Sequence, residues 1–134
     1  MASKITAIRK YRPELKRSST LQSTQLIENL VAHSALSAGA VWQAVFELRD
    51  EILAAHRRGR AVKIDGLGTF TPTLGVDGTL GISFRADAGL LKDLNNTTQL
   101  FTSIVNKGSI GKTSAELVAR WNAEHPDDPV REEP

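Results

Sequence analysis

Apolar residues recur at helical spacing in two consecutive stretches of the first half of the chain. The first stretch predicts a helix from Ser23 to about residues 34–36, with Ser23 or Thr24 as its N-cap. Its apolar face consists of Leu26, Ile27, Leu30 and Val31. The second stretch predicts a longer helix that begins after a new N-cap, Ser37, and ends at about His56.

The second helix carries two adjoining apolar stripes. They consist of Val41, Val45, Leu48 and Ile52, and beside these Trp42, Phe46 and Leu53. Such a face is wider than a helix on the surface of a domain needs. It suits a helix that is buried on two sides, as in an intertwined dimer, and it is equally compatible with the central helix of a monomeric domain.

Beyond residue 60 the hydrophobic period changes from 3.6 to 2, which indicates strands. The apolar positions of three predicted strands are Val62 and Ile64, then Phe70, Pro72 and Leu74, then Leu80, Ile82 and Phe84. Glycines at 66 and 68 mark the first turn, and the segment 75–78, which contains Asp-Gly, marks a hairpin. The middle of the chain therefore predicts two helices followed by a three-stranded antiparallel meander.

The flanking segments complete an α+β organisation. Residues 1–20 are basic, and we expect their apolar residues (Ile5, Ile8, Tyr11 and Leu15) to form a short strand or an arm, since Pro13 forbids a continuous helix. A third helix is predicted over 88–95, and residues 97–105 extend it or add a turn. Thr113 and Glu116 have capping-box spacing and begin a last helix, which Pro126 ends.

Four segments follow from this pattern. They are a basic N-terminal extension (1–20), a central domain (21–96), a C-terminal helical extension (97–126) and a loose acidic tail (127–134).

The formal charge is balanced overall and uneven along the chain. The chain has 17 Lys and Arg against 15 Asp and Glu, yet residues 1–20 hold six cations and one acid, and residues 121–134 hold five acids and one cation. A basic arm favours a polyanionic partner. The alternative is that both ends are solvated tails that only confer solubility.

Composition excludes several classes of protein. The chain has no cysteine, so disulfides, thiolate metal sites and thiol nucleophiles are excluded. No apolar run approaches the roughly 18–20 residues of a membrane span, and the first residues do not resemble a signal peptide. We therefore expect a cytoplasmic protein that does not bind membranes.

Several motifs occur in order between residues 20 and 95. They are Thr24-Gln-Leu-Ile, Leu36-Ser37, the segment from Gly59 through Val62-Lys-Ile-Asp-Gly-Leu-Gly-Thr-Phe70, and Ile82-Ser-Phe-Arg-Ala-Asp-Ala-Gly-Leu-Leu-Lys92. This series resembles the HU and integration host factor family of bacterial histone-like, DNA-architectural proteins, and its last piece resembles the last strand and C-terminal helix of that family. The basic extension and Leu67 are most similar to the extended, Bacteroidetes-type subgroup.

The resemblance implies a homodimer with a helical base and two β-arms that binds the minor groove of duplex DNA in the nucleoid and bends or condenses it. The sequence departs from the family in three places. Only 13 residues separate Phe70 from Phe84, no proline lies at the hairpin tip, and Ala86-Asp87-Ala88 replaces the family's Pro-Gly-Lys. We therefore expect a short arm and no strong bending by intercalation.

The predicted DNA contacts are cations that cluster around the helix–strand junction and the basic extension. They are Arg57, Arg58, Arg60, Lys63, Arg85 and Lys92, joined by Arg9, Lys10, Arg12, Lys16 and Arg17. Arginine binds phosphate bidentately and lysine supplies a point charge. Each of these residues is also compatible with a merely solvated surface position.

No enzymatic or cofactor motif is convincing. The segment Gly108-Ser-Ile-Gly-Lys-Thr113 resembles a phosphate-binding loop, but Asn106 stands where that motif needs glycine and no strand is predicted before it. His33, His56 and His125 lack the spacing of zinc ligands. The sequence therefore predicts neither an enzyme nor a metal, cofactor or small-molecule site.

The leading interpretation is a homodimeric, non-catalytic protein that binds double-stranded DNA through backbone charge and shape with low sequence specificity. The alternative is an HU-like fold that serves as a structural or protein-interaction module with attenuated DNA binding. The last helix, with Leu117, Val118 and Trp121 on one side, either folds back on its own domain or docks on a partner chain.

Overall fold

A computed structural model of the chain describes residues 1–96, 98 and 100–131. The fold is mixed α+β, as predicted. In chain order its elements are α1 (Lys4–Tyr11), β1 (Glu14–Leu15), α2 (Ser23–Ala32), α3 (Ala38–His56), β2 (Val62–Ile64), β3 (Gly68–Leu74), β4 (Leu80–Ala86), α4 (Ala88–Leu94), β5 (Ile104–Val105) and α5 (Ser114–Glu124). Across the described ranges, none of these helices has the length and hydropathy needed to cross a bilayer.

The chain forms two compact units. The central unit is Ser19–Gln99, and the terminal unit combines Met1–Ser18 with the segment that begins at Leu100.

The two helices of the central unit begin where local capping allows them to. Ser37 is the N-cap of α3, and its hydroxyl accepts a hydrogen bond from the Ala40 N–H at 3.2 Å, which confirms the predicted start. The N-cap of α2 is Gln22, which makes no side-chain capping bond, so neither Ser23 nor Thr24 has the predicted capping role. α2 contacts α3, and Ile27 and Val41 are buried.

The predicted three-stranded meander is confirmed, with the antiparallel order β2-β3-β4. Phe70 pairs with Val62 on one side and with Phe84 on the other, and the two phenylalanine rings lie 4.8 Å apart between centroids. Because successive side chains of a strand point to opposite faces, these three residues share one apolar face. α3 contacts β2 and β3.

The glycines of the first turn have different physical roles. Gly66 has φ 81°, a left-handed conformation that side chains disfavour. Gly68 is a position of close approach, because a Cβ there would lie 2.4 Å from the Arg85 carbonyl oxygen and 2.7 Å from the Phe84 ring. The turn therefore requires glycine at both positions.

The chain after β4 forms the predicted third helix and then differs from the prediction. α4 ends at Leu94. Positions 97 and 99 of the predicted extension over 97–105 lie outside the described residues. Ile104 and Val105 form strand β5 rather than a helix, because they pair antiparallel with Leu15 and Glu14 of β1.

The N-terminal segment forms the short strand that was expected only at β1, which contains Leu15, and the residues before it form helix α1. The Ser3 hydroxyl caps α1 by accepting from the Thr6 N–H at 3.1 Å, and α1 ends at Tyr11, before Pro13. Ala7 and Tyr11 are four residues apart, so they lie on one helix face, and both are buried. The core of the terminal unit consists of Ala7, Tyr11, Leu117, Trp121 and Val130.

The last helix is confirmed with its capping box, because the Thr113 hydroxyl accepts from the Glu116 N–H while the Glu116 carboxylate accepts from the Thr113 N–H. It folds back within the chain by packing against α1. The prediction of a loose tail is wrong for the described residues that follow. Trp121 Nε1–H donates to the Asp128 carbonyl at 2.7 Å, and the buried Val130 bonds to the Asn122 side chain.

Replacing Gly68 by alanine should destabilise the central unit by about 1–3 kcal/mol, because the added Cβ meets the backbone of β4. Gly39→Ala is the matched control, since no atom lies within 4 Å of the corresponding Cβ position. Chemical denaturation of both variants checks this expectation. Equal stabilities for the two variants would contradict the close approach at Gly68.

The terminal unit should have a pH-dependent stability that depends on the pair formed by the buried Tyr11 and the exposed Glu124. The Tyr11 hydroxyl donates to the Glu124 carboxylate, and this bond, followed by the Arg120 guanidinium, lowers the pKa of Glu124 below its ordinary 4.5. Burial and the same carboxylate raise the pKa of Tyr11 above 10.0. The stabilisation from the pair is therefore complete between these two ordinary pKa values. It is lost as pH falls through the lowered pKa of Glu124 or rises through the raised pKa of Tyr11.

We expect Tyr11→Phe to lower the unfolding temperature of the terminal unit by several degrees at neutral pH. The difference from the parent should shrink once acid protonates Glu124, because a neutral carboxyl no longer favours the Tyr11 donor. Trp121 fluorescence during thermal unfolding, in a Trp42→Phe background, measures both proteins across the pH range. A constant difference down to strongly acidic pH would refute the role of this bond.

Candidate nucleic-acid interface

The strand register brings two predicted DNA-contacting cations onto one face of the sheet. Thr69 pairs with Lys63 in β2 and with Arg85 in β4, so the three residues form one row across the strands. Strands are about 4.8 Å apart, which separates the Cα atoms of Lys63 and Arg85 by about 10 Å. This row and the apolar face of the sheet lie on opposite sides.

Hydroxyl groups extend the cationic row toward the hairpin. Thr71 pairs with Ser83, and Thr73 pairs with Gly81, on the same face as Thr69. Sequence reasoning missed these side chains as candidate contacts, although the alternation of threonine with apolar residues along β3 was the signal that could have found them. Hydroxyls donate hydrogen bonds to phosphate oxygens, so this face combines charge with neutral donors. We call Lys63, Thr69, Thr71, Thr73, Ser83 and Arg85 the polar sheet face.

One carboxylate lies close to this face. Lys63 Nζ is 3.9 Å from Asp65 Oδ1, and both side chains are largely exposed. Ion pairs in such settings are weak, typically about 0–1 kcal/mol, because water screens them. Lys63 therefore remains able to exchange this neighbour for a phosphate.

Arg57, Arg58 and Arg60 lie together on one tight turn at the end of α3. Gly59, with φ 72°, allows its N–H to donate to the His56 carbonyl at 2.9 Å and the Arg60 N–H to donate to the Ala55 carbonyl at 3.0 Å. These two bonds form a Schellman motif. All three arginine side chains are exposed, and cations at a helix C-terminus are also favoured by the helix dipole.

Helix α4 contains the predicted contact Lys92, and Asp87 lies at its N-terminus. Lys92 is exposed in the last turn of α4, where the dipole favours a cation. Asp87 is the N-cap of α4, and its carboxylate accepts from the N–H groups of Gly89 and Leu90. Asp87, the middle residue of Ala86-Asp87-Ala88, thus has a structural role in starting a helix.

The other five predicted contacts belong to the terminal unit and are divided between α1 and the segment around β1. Arg9, Lys16 and Arg17 are exposed. Lys10 Nζ is 3.1 Å from His125 Nε2 and lies over the Trp121 ring at 5.2 Å, while Arg12 pairs with Glu14 at 2.5 Å. Lys10 and Arg12 are therefore already engaged within the protein.

The central unit leaves most of its apolar residues uncovered. Ile27 and Val41 are the buried apolar residues of its described part, whereas Phe46 is 57% exposed and Ile82 is 61% exposed. Further exposed members are Leu26, Leu30, Val45, Leu48, Leu53, Leu74, Leu80, Phe84, Leu90, Leu91 and Leu94. In the second stripe of α3, Phe46 and Leu53 are thus exposed and Trp42 is half-buried, and the Phe46 ring stacks on the Trp42 ring at 5.7 Å between centroids.

A groove of about 560 Å³ lies between α3 and the apolar face of the sheet. Ile52, Leu53, Phe70, Pro72 and Ile82 supply much of its apolar lining, beside His56. The Nδ1 of His56 donates to the Arg60 carbonyl at 2.9 Å, and its Nε2 is buried without a hydrogen-bond partner in the described structure. A buried ring nitrogen without a hydrogen-bond partner is costly, because burial removes its bond to water.

The described ranges contain no group of three His, Cys, Asp or Glu side chains arranged to hold a metal ion. Comparison of the chain with known protein families finds no matching family model, and comparison with curated proteins finds no match. The functional conclusion therefore depends on the residues themselves.

Proposed function

We propose that the protein is a non-catalytic, histone-like protein that binds double-stranded DNA as a homodimer, through charge and shape and with low sequence specificity. The observation that carries the proposal is the row of Lys63, Thr69 and Arg85, which directs charge and a hydroxyl to one side of the sheet. Contacts of this kind bind phosphates and sense little base sequence. The three arginines that follow α3 add charge before β2 begins.

The resemblance to the HU and integration host factor family supports the proposal. It covers about residues 20–95, which fall within the compact central unit Ser19–Gln99. Within that unit the order of two helices, three antiparallel strands and a helix agrees with the helical base and sheet that the resemblance implies. β3 and β4 have seven residues each, so the arm is short and we expect little bending of the DNA.

We propose that a second copy of the chain packs against the exposed apolar surface of the central unit. A domain of this size is stabilised mainly by apolar burial, and two buried apolar side chains are far too few. Both the second stripe of α3 and the groove beside His56 are apolar and open, so a second copy would bury them together. Exposed apolar surface of this extent marks an interface.

An HU-like protein-interaction module with attenuated DNA binding is the second candidate. Residues 19–99 contain seven Lys and Arg against eight Asp and Glu, so this segment has no excess of positive charge. A gel shift with a duplex of about 30 bp at about 100 mM salt separates the candidates, since non-specific binders retain micromolar affinity there. A dimer that does not shift the duplex would favour the interaction module.

Replacing both Lys63 and Arg85 by glutamine should weaken binding to all duplexes about equally. A dimer that neutralises about eight phosphates has a log–log salt slope of about −7, and removal of four cations should reduce this slope by about 3.6. Filter binding over a range of salt concentrations measures both effects.

The matched control for this test is Lys107→Gln with Arg131→Gln, which removes the same charge outside the predicted contacts. This control variant should retain most of the log–log salt slope of DNA binding. An equal loss in the control, or a loss confined to one DNA sequence, would contradict the assignment of the polar sheet face.

The unfolding temperature of the protein should rise with protein concentration, because a dimer that unfolds to monomers obeys mass action. Phe46→Asp should lower this temperature and remove its concentration dependence, since the aspartate would be buried in the interface. Phe46→Leu, which keeps the site apolar, should retain the dependence. A parent protein with a concentration-independent unfolding temperature would count against the homodimer.

A further inference from the structure

The terminal unit contains a small polar pocket beside the start of α5. Its volume is about 240 Å³, and it is lined by Gly108, Ser109, Lys112, Glu116, Leu117 and Arg120. Pockets for drug-sized ligands begin at about 300 Å³, so this pocket suits a small group. Much of the lining comes from the loop whose sequence resembles a phosphate-binding loop.

A short strand precedes this loop in the structure. β5 ends at Val105, directly before it, so the loop does follow a short strand, contrary to the sequence-based expectation. Asn106 has φ 57°, which places it in the left-handed conformation that asparagine tolerates better than most residues. The loop, which begins with a single 3-10 turn at Lys107–Ser109, therefore connects a strand to the N-terminus of a helix.

Ser109 is the buried polar residue of this pocket. It is 4% exposed, its N–H donates to the Asn106 carbonyl at 2.9 Å, and its own carbonyl accepts from the Lys112 N–H at 3.0 Å. None of the hydrogen bonds among the described residues uses its hydroxyl. The hydroxyl is therefore available to a group that occupies the pocket, because it can both donate and accept a hydrogen bond.

Two cations line the same pocket. Lys112 is exposed and has no salt bridge within the described part of the chain. Arg120 is held in place, because its Nε donates to Glu124 at 3.0 Å and its guanidinium lies 4.4 Å above the Tyr11 ring. A guanidinium that is fixed in this way loses little freedom when it binds an anion.

Glu116 is the one carboxylate among the lining residues. Its Oε2 accepts from the Thr113 N–H at 2.7 Å, so the first turn of α5 is already capped by an internal anion. An incoming anion would therefore lie beside the helix, near Ser109, and not on the helix axis. Glu116 would repel it, whereas Lys112 and Arg120 would attract it, and Arg120 already shares its charge with Glu124.

We propose that this pocket binds a single phosphate group, with Lys112 and Arg120 supplying the charge and the Ser109 hydroxyl donating a hydrogen bond. Phosphate suits this set because charge-assisted bonds to its oxygens are strong. The group belongs either to a small phosphorylated molecule, as a monoester, or to a nucleic-acid backbone, as a diester. The inference is independent of the polar sheet face.

The test titrates the full chain at low ionic strength with inorganic phosphate, followed by amide chemical shifts of Ser109 and Lys112. A parallel titration uses a short thymidine oligonucleotide without terminal phosphates. Saturable shifts with inorganic phosphate alone indicate a monoester, and saturable shifts with the oligonucleotide indicate a backbone phosphate. Either result supports the site, and the absence of shifts at these residues in both titrations overturns it.

Variants test whether phosphate binds at this pocket or is attracted by surface charge in general. Lys112→Gln should weaken binding by about tenfold or more, which corresponds to the loss of one charge-assisted bond. Glu116→Gln should tighten binding, because the amide oxygen can still cap α5 and the repulsion is gone. Lys107→Gln is the control, since Lys107 is in the same loop and does not line the pocket.

Lys112→Gln is expected to weaken phosphate binding and Glu116→Gln to tighten it, so each variant tests the pocket even if the other folds poorly. Equal affinity in Lys112→Gln and Lys107→Gln would overturn the site. Weaker binding in Glu116→Gln, with α5 still formed by circular dichroism, would also overturn it.

Discussion

The apolar residues that the central unit leaves uncovered constrain its whole arrangement. α3 has two apolar stripes, and α2 covers only part of them, so Val45 and Phe46 stay exposed within one chain. The apolar face of the sheet contributes Phe84 and Ile82 to the same uncovered surface. Burial of such surface is the main stabilising contribution to folding, and the proposed dimer would supply that burial.

The same constraint explains why the cations are found where they are. Alternation along β2, β3 and β4 gives one face to apolar side chains and the other to Lys63, Arg85 and hydroxyls. If the apolar face is covered by a second copy, the polar sheet face remains the one that solvent and a ligand can reach. The proposed interface for DNA is thus a consequence of the proposed dimer.

The terminal unit buries its apolar core within a single chain. α1 and α5 come from opposite ends of the sequence and bury Ala7, Tyr11 and Trp121 against each other. Lys10 has contacts with His125 and Trp121 in this unit, so part of the basic charge of the N-terminal segment stabilises a fold. A folded scaffold, and not a loose arm, holds the remaining cations of that segment.

Local signals in the sequence predicted α3, the meander and α5 well. Ser37, the glycines at 66 and 68, and the Thr113–Glu116 box each act within a few residues, so their effect can be read without knowing the fold. α1, β5 and the packed segment after α5 could not be found this way. β1 and β5 pair across a sequence separation of about ninety residues, as Glu14 and Val105 show, and a single sequence does not reveal such a partner.

The residues of the candidate site also fall into two groups. Some are neighbours in the sequence, and others come together only through strand pairing. The cluster Arg57, Arg58 and Arg60 is adjacent in sequence and was found directly. The row of Lys63, Thr69 and Arg85 depends on strand register, which the sequence implied only through its alternation. The loop around Ser109 has Asn106 where a phosphate-binding loop needs glycine, and the strand β5 that precedes it depends on long-range pairing that the sequence does not reveal.

Light scattering on the full chain, coupled to size-exclusion chromatography, tests the central claim most directly. If a second copy covers the apolar surface of α3 and the sheet, the molar mass in solution is twice the chain mass of 14.6 kDa. A well-folded species with the mass of one chain at every concentration would contradict the account.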